Sequence, residues 1–255
     1  MKTIGLLLLL LGLAAGAWAG DVGDAVQVQI RSENGRTLPF YPVEARHPNR
    51  RVYAEAVKGD HYTIVVHNRL NRRVGIVVAV DGRNIISGQK SWLKNSERMY
   101  ILEPYATGEY NGWRTDLDRV NRFYFTSAAD SYAAAFNDES AMGVIAVAVY
   151  PEVRHEPVAL AAPAAPHAAK KAKSADRAGS GVMYEERAGT GYGREEYSPS
   201  YVVAFEAEEH AVERIFIKYE WRSTLTRLGI IPAYRPERNR LWDNGGFAPP
   251  PPGRG

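Results

Sequence analysis

No cysteine occurs anywhere in the 255 residues. That absence excludes disulfides, thiolate nucleophiles, Cys-zinc sites and iron–sulfur clusters, so an apolar core alone must hold any fold. Asn-X-Ser/Thr sequons are missing too. So are the H-E-x-x-H, H-x-H, G-x-S-x-G and G-K-[ST] signatures of zinc, hydrolase and phosphate sites. Charge of one sign is also scarce. Taking away Lys2 with the first nineteen residues leaves 31 basic against 29 acidic side chains, a net charge of +2. A dedicated nucleic-acid binder shows a strong basic excess or stripe, and this balance argues against one.

One apolar run stands out, at the start. MKTIGLLLLLLGLAAGAWAG places Lys2 before residues 4–15, then small residues around Ala17-Trp18-Ala19. Charge, short apolar core and an A-x-A site are the parts of a secretory signal peptide, here expected as residues 1–19 with cleavage after Ala19. A membrane anchor is the alternative, but a spanning helix takes about 20 apolar residues, and this run is shorter and broken by glycines. No second run of spanning length follows, so no transmembrane span is expected after cleavage. The expected address is the periplasm or the medium, and the missing cysteines and sequons fit a bacterial protein.

Residues 20–151 read as short strands between turn signals. VQVQI (26–30) and RVYAEAV (51–57) alternate apolar and polar. Residues 61–67 and 74–80 are β-branched runs joined by a polar loop, and Asp81-Gly82 marks a hairpin turn. Further runs are 99–102, 120–126 and 143–150. About eight strands without long helical periodicity predict an all-β fold, an antiparallel β-sandwich of jelly-roll type. Short helical turns are expected at 116–120 and 128–137.

Residues 152–181 (EVRHEPVALAAPAAPHAAKKAKSADRAGSG) change character. Rich in Ala, Pro and Lys and free of aromatics, they lack the apolar bulk to offset ordering entropy and read as a flexible linker. Lys170, Lys171 and Lys173 read as solubilising, with contact to an anionic surface as the alternative. Residues 182–235 hold a second strand pair, YVVAFE (201–206) and RIFIKYEWR (214–222). In the latter, Ile215, Ile217, Tyr219 and Trp221 share one face. About fifty residues without metal or disulfide rarely fold alone, so this C-terminal β-hairpin is expected to dock on the sandwich or pair with another copy. Helical turn residues are expected at 223–231, and the Pro-rich tail 236–255 is expected to be disordered.

Candidate sites are few. EYNGWRTDLDRVNRFYFTS (109–127) concentrates carboxylates and aromatics. Thr115 and Asp118 have capping-box spacing and Asp116 sits where a helix N-terminus favours negative charge, so TDLDRV is expected as one capped helical turn. The catalytic alternative pairs Glu109 with Asp116 or Asp118 as glycosidase carboxylates. Of six histidines, His61 and His67 share a strand but stand roughly 20 Å apart, too far for one ion. The others are isolated or in the linker, so neither a metal site nor a cofactor is expected. Residues 189–193 (GTGYG) suggest a nucleotide loop, but Arg194 stands where the fingerprint needs Gly. The positive signal is aromatic: Trp92, Tyr100, Tyr105, Tyr110 and Trp113, read mostly as loop residues. They either plug the sandwich or offer rings to a sugar or a partner's side chain.

YNGWRTDLDRVNRFYFTSAADSYAAAF followed by GVIAVAVY, with GTGYGREEYSPS and KYEWRSTLTRLGII, resembles a recurring pattern in exported bacterial proteins of no known activity. The resemblance covers most of residues 20–255 outside the linker and carries over no functional residue. It implies that the C-terminal segment belongs with the sandwich. Three expectations follow: an exported, non-catalytic β-sandwich binding a protein or envelope glycan, a polysaccharide hydrolase using loop carboxylates, or a structural envelope component and homo-oligomer assembling through its C-terminal strands.

Overall fold

The computed structural model describes residues 20–43, 49–154 and 187–233. The expected signal peptide, tail and residues 155–181 of the linker lie outside them. Fifteen strands run through the described chain: β1 (Val26–Ser32), β2 (Phe40–Pro42), β3 (Asn49–Ala56), β4 (Tyr62–Asn68), β5 (Val74–Val80), β6 (Arg83–Asn84), β7 (Tyr100–Leu102), β8 (Thr107–Tyr110), β9 (Gly112–Asp116), β10 (Arg119–Arg122), β11 (Phe125–Ser127), β12 (Val144–Pro151), β13 (Ala188–Thr190), β14 (Glu195–Tyr197) and β15 (Glu213–Trp221). The largest sheet runs β2-β3-β15-β12-β5-β6, with β7 also on β5, and a second runs β1-β4-β8. The protein is therefore all-β and sandwich-like, as the alternating patterns predict.

The core lies between these two sheets. β1 alternates buried and half-buried residues along its length, sending Val26, Val28 and Ile30 inward. From the larger sheet come Ile145, Val147 and Val149 of β12, Ile76 and Val78 of β5, and Ile215, Ile217 and Tyr219 of β15. β5 is buried at every position, because its outer face is covered as well. There Val77, Ala148 and Tyr150 pack under Leu93, Met99, Ala207 and Ala211.

Two expectations are corrected. The first is the capped helical turn at 115–120: β9 and β10 form a hairpin with Arg119 opposite Asp116 and Val120 opposite Arg114. Asp116 Oδ1 accepts from Leu117 N at 2.7 Å inside the turn, while Thr115 Oγ1 donates to Arg119 O at 3.4 Å rather than capping a helix. Burial of Trp113 and Val120 on the two strands outweighs the local capping pattern. The second is the hairpin in the C-terminal segment. β15 enters the middle of the large sheet, antiparallel to β12 and parallel to β3, and residues 201–206 form no strand. Within those residues, Phe205 is drawn onto the sheet instead. Its ring is 2.8 Å from where a Cβ on Gly75 would sit, and the Arg73 guanidinium lies 5.7 Å from its centroid. The short helical turns expected at 128–137 are present as two 3-10 turns, Ala128–Asp130 and Ala134–Phe136. The helical turn expected at 223–231 is present as α1 (Arg222–Arg227). At the linker's start, Glu152 N and Val153 N still donate to Arg73 O and Glu206 O.

Candidate functional site

Two sheet edges meet at one side of the sandwich. β8 ends the smaller sheet, and β7 is joined only to β5. Between them opens a groove of about 660 Å³, lined by residues 97–103, 106–110 and 198–203 among others. Its third wall is the extended stretch after Ser198. Ser198 N and Ser200 N donate to Asp118 O and Leu117 O, but residues 201–205 make no backbone–backbone hydrogen bond among the described residues. Tyr201 and Val202 are 85% and 82% exposed on this wall. A chain that is β-branched, extended and unpaired beside two open strand edges is ready-made for strand addition.

The five sequence-predicted aromatics separate. Tyr100 and Tyr110 line the groove, with ring centroids 4.3 Å apart. Arg114 Nε donates to Tyr100 Oη at 2.7 Å. Burial raises the Tyr100 phenol pKa against the pull of Arg114, and burial raises that of Tyr110 further, with Tyr100 adding to it. Both stay protonated at neutral pH. Trp113 is buried, its Nε1 donating to Gly191 O at 3.0 Å and its ring against Phe123 and Tyr132. Trp92 and Tyr105 are exposed and do not line the groove. Three of the five therefore lie in strands rather than loops.

The carboxylates do not converge. Glu109 lines the groove and accepts from Arg31 Nη1 at 2.8 Å. Asp116 and Asp118 lie at the β9–β10 turn, outside the groove lining, Asp118 3.5 Å from Arg119 Nε. The other acids lining the groove are Glu97 and Glu103, of which Glu97 accepts from Trp92 N and Lys94 N and Glu103 pairs with Arg73. Among the described residues no group of three or more His, Cys, Asp or Glu side chains is placed to hold a metal ion. The GTGYG run is a close-packing device. A Cβ on Gly189 would meet Ser131 and Met142 below 3.0 Å, and one on Gly193 would meet Arg122 O at 2.7 Å.

Sequence reading passed over Asp81 as a turn residue. Its φ of 49° and the 78° of Gly82 suit the type I′ turn joining β5 to β6. Yet its carboxylate is fully buried and accepts from Gly143 N at 2.8 Å, Thr190 N at 2.7 Å and Tyr219 Oη at 2.6 Å. Thr190 Oγ1 continues the chain to Tyr62 and Tyr219 at 2.7 Å each. Burial lifts the Asp81 pKa to about 6, opposed by Tyr219, the two backbone donors and Lys218. The groove does not reach Asp81, and the network acts as a lock that ties the β5–β6 turn to β13 and β15. A second buried carboxylate, Glu213, accepts from Asp24 N, Ala25 N and Val26 N, fastening the chain's entry into β1 to β15.

No helix among the described residues is long and apolar enough to cross a membrane. Comparison with protein-family models, with curated proteins and with solved structures gave no match.

Proposed function

We propose that this is an exported, non-catalytic binding protein that takes an extended segment of a protein partner along the groove between β7 and β8. The observation that carries the reading is the meeting of two sheet-edge strands with an exposed apolar wall at Tyr201 and Val202. A partner strand gains main-chain hydrogen bonds from an edge and side-chain contacts from Tyr201, Val202 and the groove floor. Export is supported by the signal-like composition of residues 1–19. The hydrolase reading loses support because Glu109 stands apart from Asp116 and Asp118 in the groove.

A photo-crosslinker at Val202, in cells producing the protein, tests this. The expected result is a crosslink to one protein partner, mapped to a single short stretch and lost when Tyr201→Asp is added. Turnover of a polysaccharide panel by residues 20–255, abolished by Glu109→Gln, would overturn it in favour of the hydrolase.

A further inference from the structure

A second aromatic surface, away from the groove, is built around Tyr132. This half-buried ring lies 4.4 Å from Trp113, 5.0 Å from Phe136 and 5.4 Å from Tyr192, centroid to centroid. Phe136 and Tyr192 are therefore no more than about 10 Å apart, and both keep about half their surface in water, 50% and 46%. The support is rigid. Arg83 is itself buried and places its guanidinium 3.8 Å from the Phe136 centroid, while its Nη1 donates to Gly88 O. Trp92, 65% exposed, stands 5.5 Å from the Lys90 ammonium, and Lys90 pairs with Asp138, two residues beyond Phe136. Scattered exposed aromatics need no explanation, but contiguous rings on a fixed base mark an interaction surface.

The sequence supplies a ligand of suitable chemistry. Residues 247–255, outside the described structure, read FAPPPPGRG. Consecutive prolines favour the polyproline II helix, with three residues per turn and a rise of about 3.1 Å. Pro249 and Pro252 then share one face about 9 Å apart, a spacing that lies within the upper bound on the separation of the two exposed rings. Proline-rich helices dock on aromatic-lined surfaces because they are preformed and lose little entropy. Arg254, two residues past Pro252, is complementary in charge to Glu139 and Glu195, which pair with Arg187 and Arg119 yet keep 40% and 55% of their side chains exposed. Residues 234–246, which join this segment to the described chain, can extend to roughly 45 Å. We propose that the aromatic ladder of Phe136, Tyr132 and Tyr192 is the docking site for the chain's own proline-rich segment, residues 247–255.

The proposal is independent of the groove. Its test uses the full chain with p-benzoylphenylalanine in place of Tyr192, illuminated and then digested for mass spectrometry. The expected product joins position 192 to residues 247–254, from the same chain or a second copy. Its yield should fall at least fivefold when the four prolines 249–252 are changed to serine, and again with Phe136→Ala. Added FAPPPPGRG peptide at millimolar concentration should suppress it. If the Tyr192 variant unfolds, the same photo-label at Trp92 replaces it. Crosslinks to other parts of the chain, a yield indifferent to the prolines, or suppression by a polysaccharide but not by the peptide would each overturn the assignment, the last in favour of a glycan site.

Discussion

Asp81 allows the sharpest test of the structure, because burial and hydrogen bonding act on it in opposite directions. Asp81→Gly keeps the positive φ that the turn needs but removes the acceptor of three donors: Gly143 N, Thr190 N and Tyr219 Oη. A buried donor left without a partner costs about 1–3 kcal/mol, so a loss of roughly 3 kcal/mol or more is expected. Asp81→Asn retains the shape and one oxygen, and isolates the charge. The folded carboxyl titrates at about 6, against an ordinary value of 3.8, because it is buried. Between these values the folded state holds the extra proton. The contribution of Asp81 is therefore most stabilising below about pH 4 and is lost as pH rises through 6. At 1.36 kcal/mol per pH unit the change amounts to about 3 kcal/mol. Other groups facing the carboxylate, Lys218, Tyr62 and Tyr219, are the same in wild type and variant, so their titration cancels in the difference. Urea unfolding of both proteins at pH 4, 5, 6 and 7.5 should show the deficit of the Asn variant shrinking as pH rises. A flat difference would refute the reasoning. A deficit that grows with pH would show that the three donors outweigh burial and hold the carboxylate ionised.

Glu213→Ala removes the acceptor shared by three backbone N–H groups at the entry to β1, and should lower the stability read from urea midpoints by roughly 3 kcal/mol. Thr115→Ala removes only a long bond in an exposed turn, so a change within about 0.5 kcal/mol is expected, where a true helix cap would cost about 1 kcal/mol. Trypsin nicking between Arg154 and Arg187 should leave two fragments that co-elute on gel filtration and separate only in denaturant. The C-terminal fragment buries Ile215, Ile217 and Tyr219 between β3 and β12, at about 1.5–3 kcal/mol each.

Local chemistry was legible wherever the answer was local. Residues 74–80 read as a strand and form β5, and Asp81-Gly82 read as a hairpin turn and make one. Alternation in 214–222 gave the buried face of β15, Ile215, Ile217 and Tyr219. Alternation cannot name a neighbour, however, and the parallel register of Arg214 with Asn49 through Trp221 with Ala56 joins segments far apart in sequence. Lys218 and Glu220 lie on the opposite face of β15, where Glu220 is 6% exposed and paired with Lys218 at 2.9 Å. YVVAFE had strand propensity without a partner edge, and propensity in sheets largely measures fit to neighbours. The same limit hid the Asp81 lock, whose donors are 62, 109 and 138 residues away.

The placement of the C-terminal strands bears on function as well as on folding. β13 pairs with β11, β14 with β10, and β15 with both β3 and β12, so residues 187–233 enter three separate sheets. Without them β3 and β12 would present long, apolar, unpaired edges, the kind that natural sheets avoid exposing. The groove depends on the same segment, because residues 198–203, with Phe205 and Ala207, form its third wall. So does the aromatic ladder, which takes Tyr192 from the turn between β13 and β14. Each proposed surface therefore combines residues from before position 154 with residues from after position 187. Neither surface exists on the N-terminal portion alone, and binding at either one reports that the whole sheet has assembled.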